Sequence, residues 1–304
     1  MKVLVATDKP FAKVAADGIK KIFDEAGYEC VFLEKYTDQA DFVKAAADVD
    51  AIIVRSDLAT KEVIDNAKNL KIIVRAGAGY DNVDLAAATE KGVIVMNTPG
   101  QNSNAVAELA FGMMIYQIRN HFDGSSGTEL LGKTIGIHAY GNVGKNVARI
   151  ARGFGMKVYA FDPFVAKEVI ENDGVEVVES VEELYKKSQF VSLHIPANDK
   201  TKKSIGTALL NLMPKNAVLV NTARKEVINE EELKQVLANR PDFCYVSDIE
   251  PGNKAELVEF EKRIFFTPKK MGAQTSEANT NAGLAAARQI IGFLNNNDTT
   301  FKVN

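Results

Sequence analysis

The sequence contains no tryptophan, only two cysteines and only three histidines among its 304 residues. Cys30 and Cys244 are far apart and lack the spacing of a metal site, so we expect buried thiols in a reducing compartment. No apolar run reaches the roughly 20 residues of a membrane helix. The opening MKVLVA is too short for the apolar part of a signal peptide. We therefore expect a cytoplasmic protein that is neither membrane-spanning nor held together by disulfides.

An excess of charge of one sign is also missing. Lys and Arg total 37 and Asp and Glu total 40, which gives a net charge of −3. Because the two signs are interspersed, no basic face for nucleic acid or for an acidic membrane is evident. The length allows one large or two medium domains, each with its own core. We expect a small molecule as the partner, with no nucleic acid and no membrane.

Short β-branched runs alternate with helical patterns along the chain, which predicts parallel sheets with helices on both faces. The predicted strands are 3–6, 30–33, 51–55, 71–74 and 93–96 in the first part, then 134–137, 157–161, 175–178, 190–193, 217–220, 243–246 and 264–266 in the second. The predicted fold class is therefore α/β, with two doubly wound, Rossmann-like parallel sheets.

Two apolar helical patterns, 105–119 and 276–294, are predicted to connect the two parts. The chain would then cross twice between a discontinuous outer domain and an inserted domain. We predict a flavodoxin-like substrate-binding domain from 1–98 and 275–304, and an NAD-binding Rossmann domain from 99–274. A cleft between two such domains is where ligands usually bind.

The most informative motif is AYGNVG at residues 139–144, between a predicted strand and a predicted helix. Gly141 lets the backbone approach a pyrophosphate, Gly144 lets the helix pack close to the strand, and the first helical N–H groups face the phosphates. Ala139 replaces the usual first glycine and tolerates the turn if its φ stays negative. Asp162 ends the next strand and favours NAD over NADP, because it would repel a 2′-phosphate. The alternative is an ordinary βαβ crossover that binds no nucleotide.

Five further segments occur in a fixed order: RAGAGYDN (75–82), NTPGQN (97–102) with VAE (106–108), HIP (194–196), VNTARKEV (220–227) and TPKKMGA (267–273). Together they resemble the D-2-hydroxyacid dehydrogenase family, in particular its D-3-phosphoglycerate-oxidising branch, over nearly the whole chain. The resemblance implies NAD-dependent hydride transfer from D-3-phosphoglycerate to give 3-phosphohydroxypyruvate, the first step of serine biosynthesis. It also implies a homodimer. Because the chain stops soon after its last predicted helix, we expect no C-terminal regulatory domain.

The resemblance assigns most of the expected binding residues. Cofactor binding is expected at Ala139, Tyr140, Gly141, Asn142, Val143, Gly144, Asp162, Pro163, His194, Pro196, Thr222, Ala223 and Asp248. Substrate binding is expected at Arg55, Ser56, Ala76, Gly77, Ala78, Gly79 and Asn102. Small residues after a strand can expose consecutive N–H groups as a nest for the carboxylate, and an arginine suits a phosphate through paired charge-assisted bonds. No metal is expected.

The proton donor is where the sequence departs from its family. The only histidines are at 121, 138 and 194, so the acid/base histidine of the family is absent and Lys269 and Lys270 fill its place. One extra residue leaves the choice between the two lysines open. A lysine can serve if its pKa falls toward neutrality, and burial and a neighbouring cation both act in that direction.

Arg224 is the expected cation on the carbonyl, because its planar fork can hold carbonyl and carboxylate oxygens together. Glu250 matches the family's partner carboxylate through the following Pro251. A carboxylate paired to a lysine would stabilise the protonated form, which is the wrong direction for a base. We therefore expect Glu250 to be weakly coupled or displaced.

Two other functions remain open at this point. The chain could act on another small D-2-hydroxy acid, such as glycerate or lactate, and Arg55 discriminates because an unphosphorylated substrate would not need it. It could also be an NAD-sensing interaction protein, since a missing histidine is compatible with lost catalysis. The intact segment around Arg224 argues against that second alternative.

Overall fold

The computed structural model describes all 304 residues, which form two compact units. Unit 1 consists of Met1–Asn102 and Gln274–Asn304, and unit 2 consists of Ser103–Ala273. None of the helices combines the length and the apolar character that crossing a bilayer requires.

Twelve strands and eleven α-helices make up the two units. The strands are β1 (Lys2–Thr7), β2 (Glu29–Glu34), β3 (Ala51–Val54), β4 (Ile72–Arg75), β5 (Ile94–Asn97), β6 (Thr134–His138), β7 (Lys157–Phe161), β8 (Glu176–Val177), β9 (Phe190–Leu193), β10 (Val218–Asn221), β11 (Cys244–Ser247) and β12 (Ile264–Phe266). The helices are α1 (Lys13–Glu25), α2 (Gln39–Ala46), α3 (Lys61–Asn66), α4 (Leu85–Lys91), α5 (Ser103–Ile118), α6 (Asn142–Gly153), α7 (Lys167–Asn172), α8 (Val181–Lys187), α9 (Thr207–Leu210), α10 (Glu230–Asn239) and α11 (Ser276–Asn296). Three 3₁₀ segments lie at Asn120–Phe122, Lys225–Val227 and Lys254–Arg263.

Unit 1 is a five-stranded parallel sheet in the order β2-β1-β3-β4-β5. Successive residues of β1 enter two separate cores, with Leu4 in one and Val3 and Val5 in the other. Helices α2, α3 and α4 cover the first core, and α1 and α11 cover the second. Because both faces of a parallel sheet are buried, its strands are nearly continuous apolar runs.

Unit 2 is a seven-stranded parallel sheet in the order β12-β11-β10-β9-β6-β7-β8. Helices α5, α6 and α7 supply buried side chains to the core on one face. Helices α8, α9 and α10 do so on the other. The predicted fold class, two doubly wound parallel sheets, is confirmed.

All twelve predicted strands are present, and those at Lys157–Phe161, Phe190–Leu193 and Ile264–Phe266 have the predicted bounds. The bounds of the other strands differ by at most one residue at each end. Both cysteines are free thiols, and they are partly rather than completely buried. Burial still raises the pKa of Cys30 and of Cys244 to about 11, which keeps both protonated at neutral pH.

The strand order fixes where the chemistry can lie in each unit. In unit 1 the order reverses between β1 and β3, and in unit 2 it reverses between β6 and β9. Ligands of doubly wound sheets bind beyond the carboxyl ends of the strands at these reversals. Arg55 follows β3, and the AYGNVG loop follows β6. Both predicted anion-binding elements therefore stand at a reversal.

Candidate active site

The loop after β6 begins with a residue in an unexpected conformation. Ala139 has φ of 81°, so the condition of a negative φ, under which alanine was expected to tolerate the turn, is not met. The left-handed region costs a residue with a side chain about 1–2 kcal/mol. The Ala139 N–H donates to the Phe161 carbonyl oxygen at 3.0 Å, and its own carbonyl faces Gly144. The turn is thus fixed by tertiary contacts that override the preference of alanine.

The two glycines of the loop have different roles. A methyl group at position 144 would lie 2.4 Å from the Ala139 carbonyl oxygen, so Gly144 is required for the close packing of α6 on the loop. A methyl group at position 141 would contact nothing within 4 Å. Gly141 is the N-cap of α6 and provides no side chain to cap it, so the first N–H groups of the helix remain available to an anion.

Asp162, directly after β7, braces the loop. Its Oδ2 accepts the Tyr140 N–H at 2.7 Å, and its Oδ1 accepts the Phe164 N–H at 2.9 Å. Each carboxylate oxygen has a second lone pair, so two acceptor sites remain for ribose hydroxyls. The Tyr140 side chain is fully buried, and its hydroxyl donates to Asp173 at 3.0 Å. The exposed Pro163 continues this edge.

Two histidines meet where the strand order of unit 2 reverses. His138 ends β6, and the His194 N–H donates to its carbonyl oxygen at 2.9 Å. His138 Nδ1 lies 3.3 Å from the Tyr185 hydroxyl, and His194 Nε2 lies 3.0 Å from Ser192 Oγ. Burial lowers the pKa of His138 to about 4, and burial with the neighbouring His138 lowers the pKa of His194 to about 3. Both rings are therefore neutral at physiological pH. Pro196 beyond them is exposed.

Two cations converge on one backbone oxygen in unit 2. The Ala223 carbonyl oxygen accepts Lys270 Nζ at 2.8 Å and Arg224 Nη1 at 3.0 Å. Both side chains are exposed. Lys269 differs, because the contact that fixes it is through its backbone, where its carbonyl oxygen accepts the Thr267 hydroxyl at 2.8 Å. The sequence did not decide between Lys269 and Lys270 as the acid/base. In the structure, Lys270 shares the Ala223 carbonyl oxygen with Arg224, the predicted catalytic arginine.

A buried carboxylate lies behind these cations. Asp248 is fully buried, and its Oδ2 accepts the Gly272 N–H at 3.0 Å. Burial raises the pKa of Asp248, while the charges of Lys270 and Arg224 oppose that shift. Its Oδ1 has no hydrogen-bond partner, and the Oγ1 of Thr222 is likewise buried without one. These two oxygens are polar groups that a bound cofactor can satisfy.

Glu250 pairs with a cation other than Arg224 or Lys270. Its Oε1 forms an ion pair with Lys254, four residues along the chain. The Glu230 carboxylate accepts the N–H groups of Gly252 and Asn253, which fixes the segment beyond Pro251 on α10. The predicted partner carboxylate is therefore held by another cation.

The predicted carboxylate anchor in unit 1 offers a ligand fewer backbone N–H groups than expected. The Ala76 N–H donates to the Val54 carbonyl oxygen, and the Gly77 N–H donates to the Arg75 carbonyl oxygen, each at 2.8 Å. Only the N–H groups of Ala78 and Gly79 have no protein acceptor. A methyl group at Gly77, whose φ is 156°, would lie 1.5 Å from Arg75 Nη1. The Arg75 guanidinium thus lies over this turn.

Arg55, the predicted phosphate ligand, is held by three neighbours in unit 1. Its Nη1 donates to the carbonyl oxygens of Lys9 and Pro10 at 2.9 and 3.3 Å, and its Nη2 donates to Asn279 Oδ1 at 2.6 Å. Ser56 next to it is exposed. Asn102 is the last residue of unit 1 and is partly buried.

Sequence reasoning missed the residue that shapes the turn carrying Arg224. Asn221 is buried at the end of β10, where its Oδ1 accepts the Ala223 N–H and its Nδ2 donates to the Arg224 carbonyl oxygen, each at 3.0 Å. Its backbone oxygen accepts Ser247 Oγ and the Asp248 N–H. An asparagine at the end of an apolar strand-like run, directly before small residues, was the signal available in the sequence.

Unit 2 offers what NAD requires. It has an uncapped helix start beside an open glycine, an acid with spare acceptor sites, two neutral histidines and two buried unpartnered oxygens. No group of three or more His, Cys, Asp or Glu side chains is arranged to hold a metal ion.

Comparison with known proteins decides the family. The D-isomer specific 2-hydroxyacid dehydrogenase NAD-binding domain matches residues 107–268, all within unit 2. The chain belongs to this family. The match identifies unit 2 as the NAD-binding domain of a D-2-hydroxyacid dehydrogenase, and the resemblance inferred from the motifs is confirmed.

Relatives within the family carry several names. The chain is 38% identical to a D-3-phosphoglycerate dehydrogenase of Methanocaldococcus jannaschii over 89% of this chain and 54% of the relative. It thus spans about half the length of that relative. It is 34% identical to a hydroxypyruvate reductase of Thermotoga maritima, over 84% of this chain and 88% of the relative. The NAD⁺-bound 3-phosphoglycerate dehydrogenase of Entamoeba histolytica is 46% identical, with a TM-score of 0.89 over 100% of this chain and 98% of the other.

Proposed function

We propose that this D-2-hydroxyacid dehydrogenase oxidises D-3-phosphoglycerate to 3-phosphohydroxypyruvate with NAD, the first step of serine biosynthesis. The observation that carries the chemistry is the convergence of Lys270 Nζ and Arg224 Nη1 on the Ala223 carbonyl oxygen. A dehydrogenase needs a group that moves a proton on the substrate oxygen and a cation that stabilises charge on that oxygen. The two side chains supply one of each.

Lys270 is the proposed acid/base. In the oxidation, its neutral amine takes the proton of the substrate hydroxyl, and bound NAD⁺ supplies the hydride acceptor. In the reduction, the ammonium returns the proton to the carbonyl oxygen. The charges of Lys270 and Arg224 both act on the buried Asp248, where they oppose the rise in its pKa that burial causes.

Arg224 and unit 1 supply the proposed binding groups for the substrate anions. Arg224 holds carboxylate and carbonyl oxygens through its guanidinium fork. The N–H groups of Ala78 and Gly79 form a short anion nest for the carboxylate. Arg55 is the proposed ligand of the phosphate, and Ser56 and Asn102 complete the proposed substrate contacts.

The remaining cofactor contacts follow from unit 2. The N–H groups of Asn142, Val143 and Gly144 at the start of α6 face the pyrophosphate, and Asp162 binds the adenosine ribose. His194 and Pro196 are proposed beside the nicotinamide-side ribose. Thr222 and Asp248 are proposed to bond polar groups of the cofactor through their buried oxygens.

The first experiment follows NADH oxidation with phosphohydroxypyruvate, hydroxypyruvate and pyruvate on one sample. We expect turnover selective for the phosphorylated acid. Lys270→Ala should lower kcat by roughly 10²–10⁴-fold, the usual contribution of a general acid or base, with NADH affinity unchanged. Lys269→Ala is the matched control, one residue away, and should retain most of the activity.

Several outcomes would contradict the proposal. If Lys269→Ala abolished turnover and Lys270→Ala did not, the proton would travel through the other lysine. NADH binding without turnover of any of the three acids would favour the sensor alternative.

Glu250→Gln should leave the pH profile of kcat intact, because Glu250 pairs with Lys254.

A second substrate class has a specific observation in its favour. The hydroxypyruvate reductase of Thermotoga maritima is 34% identical to this chain over 88% of its own length, which makes an unphosphorylated 2-oxo acid the second candidate. Turnover of hydroxypyruvate alone would move the assignment to an unphosphorylated acid.

We also propose a cytoplasmic homodimer, as the family resemblance implies, and light scattering of the purified protein tests the oligomeric state.

A further inference from the structure

The Arg55 guanidinium is fixed more tightly than its position near the surface requires. Nη1 donates both of its hydrogens, one to the carbonyl oxygen of Lys9 and one to that of Pro10. The Phe11 ring lies against the guanidinium, with its centroid 5.0 Å from Cζ. Both carbonyls belong to the segment after β1, so the strand next to β3 provides one side of the frame.

The other side of the frame comes from the far end of the sequence. Asn279 lies in the first turn of α11, and its Oδ1 accepts Arg55 Nη2 at 2.6 Å. The amide is itself oriented, because Asn279 Nδ2 donates to the Thr275 carbonyl oxygen at 2.8 Å. An asparagine amide held in this way can only present its oxygen to the arginine.

Counting donors shows what remains for a ligand. A guanidinium has five N–H groups in a rigid fork. Three of those of Arg55 donate hydrogen bonds to protein oxygens. The two that remain are the Nε–H and one Nη2–H. A guanidinium binds an oxyanion best through two parallel N–H groups. The Nε–H and the Nη2–H beside it form such a pair for two oxygens of one phosphate when Asn279 accepts the other Nη2 hydrogen.

The surroundings of Arg55 include one feature that favours a bound anion, its partial burial, and one that opposes it, two nearby carboxylates. Burial lowers the pKa of Arg55, and the nearby carboxylates of Asp57 and Asp8 oppose that shift. Partial removal of water strengthens the interaction of the guanidinium with an anion. Asp57 Oδ1 accepts the Asp8 N–H and the Tyr36 hydroxyl, each at 2.7 Å, so this carboxylate fixes the loop after β1.

We propose that Asn279 is a positioning residue that orients Arg55, so that its two remaining N–H groups select a phosphorylated 2-oxo acid over the unphosphorylated one. This inference rests on the proposed function, since it concerns the phosphate end of the same substrate. Asn279 does not touch the substrate; it acts through Arg55. The selectivity then depends on the contact between α11 and the end of β3.

The test measures kcat and KM for phosphohydroxypyruvate and for hydroxypyruvate in a set of variants. Asn279→Ala should raise KM for the phosphorylated acid by about tenfold, as expected for loss of one hydrogen bond to a charged group. Its kcat and its KM for hydroxypyruvate should stay within about twofold. Asn279→Asp, of nearly equal size, should raise KM for the phosphorylated acid further, because a carboxylate beside Arg55 pairs with it and repels the phosphate. Asn281→Ala, on the exposed side of the same helix, is the matched control and should behave as the wild type.

A double-mutant cycle separates positioning from general stability. In an Arg55→Ala background, Asn279→Ala should have no further effect on KM, because the group that it orients is gone. Equal losses on both acids, or additive effects in the cycle, would overturn the proposal.

The failure of this inference can be told from the failure of the proposed function. If the wild type did not prefer the phosphorylated acid, the proposed function would fall. Calorimetric titration with inorganic phosphate would then decide the role of Asn279. Phosphate binding lost in both Asn279→Ala and Arg55→Ala supports the oriented site, and binding unchanged in Asn279→Ala overturns it.

Discussion

Two loops of this molecule look alike in sequence and differ in what they offer a ligand. The loop at 76–79 follows β4 in unit 1, and the loop at 139–144 follows β6 in unit 2. In the loop at 76–79, two of the four backbone N–H groups donate to protein carbonyl oxygens. The next helix there, α4, begins only at Leu85, and the Asp84 side chain accepts the Ala87 N–H.

In the second loop, α6 begins at Asn142, inside the motif, and no side chain caps it. The difference teaches that small residues after a parallel strand do not by themselves make a phosphate site. What matters is an uncapped helix start at the loop, since a capping carboxylate occupies the N–H groups and the positive end of the helix dipole. The first loop retains two N–H groups, which suits a single carboxylate.

The largest expected effect comes from breaking the second loop at its tightest contact. Gly144→Ala places a methyl group 2.4 Å from the Ala139 carbonyl oxygen and 3.0 Å from Ile137 Cγ2. We expect a loss of roughly 1–3 kcal/mol in the free energy of unfolding, together with weaker NADH binding, measured by urea unfolding and fluorescence titration. Gly153→Ala in the same helix is the control, because its methyl group would contact nothing within 4 Å. Equal behaviour of the two variants would show that the close contact is unimportant.

Breaking the first loop should leave the cofactor untouched. Gly77→Ala would strain a φ of 156° and displace the Arg75 guanidinium. Strain of this kind costs of the order of 1–3 kcal/mol, so we expect KM for the 2-oxo acid to rise about tenfold. NADH affinity should not change, since the cofactor residues lie in unit 2. Steady-state kinetics and an NADH titration check both parts, and a parallel loss of NADH affinity would remove the functional distinction between the loops.

The smallest effect is expected from making the second loop resemble its family more closely. Ala139→Gly relieves a left-handed φ of 81°. The relief of about 1–2 kcal/mol is partly offset by the greater chain entropy of glycine in the unfolded state, so the net gain should stay below about 1 kcal/mol. Thermal unfolding measures it. Destabilisation by this change would mean that the alanine methyl group contributes packing that outweighs the strain.

Much of the fold could be predicted because both faces of each sheet are buried. The central strands are then apolar runs that stand out from their neighbours, as in Ile72–Arg75 and Phe190–Leu193. Strand ends were missed by one residue where a polar residue ends the strand and interrupts the apolar run, as at Asn221 and Ser247. The conformation of Ala139 was missed because its contacts with Phe161 and Gly144 decide it, and they are not visible in the local sequence.

The features of the site likewise fall into those that the sequence could predict and those that only the structure shows. The sequence by itself determined the dinucleotide loop, the acid at 162, the arginine at 224 and the absence of the family's catalytic histidine, since these depend on residue type and spacing. Only the tertiary structure decided that Lys270 shares an acceptor with Arg224, that Glu250 pairs with Lys254, and that Asn279 orients Arg55. The last pair is separated by 224 residues in the chain. Hydrogen bonds and ion pairs act over a few ångströms, so which groups they join is settled only when the packed cores bring distant segments together.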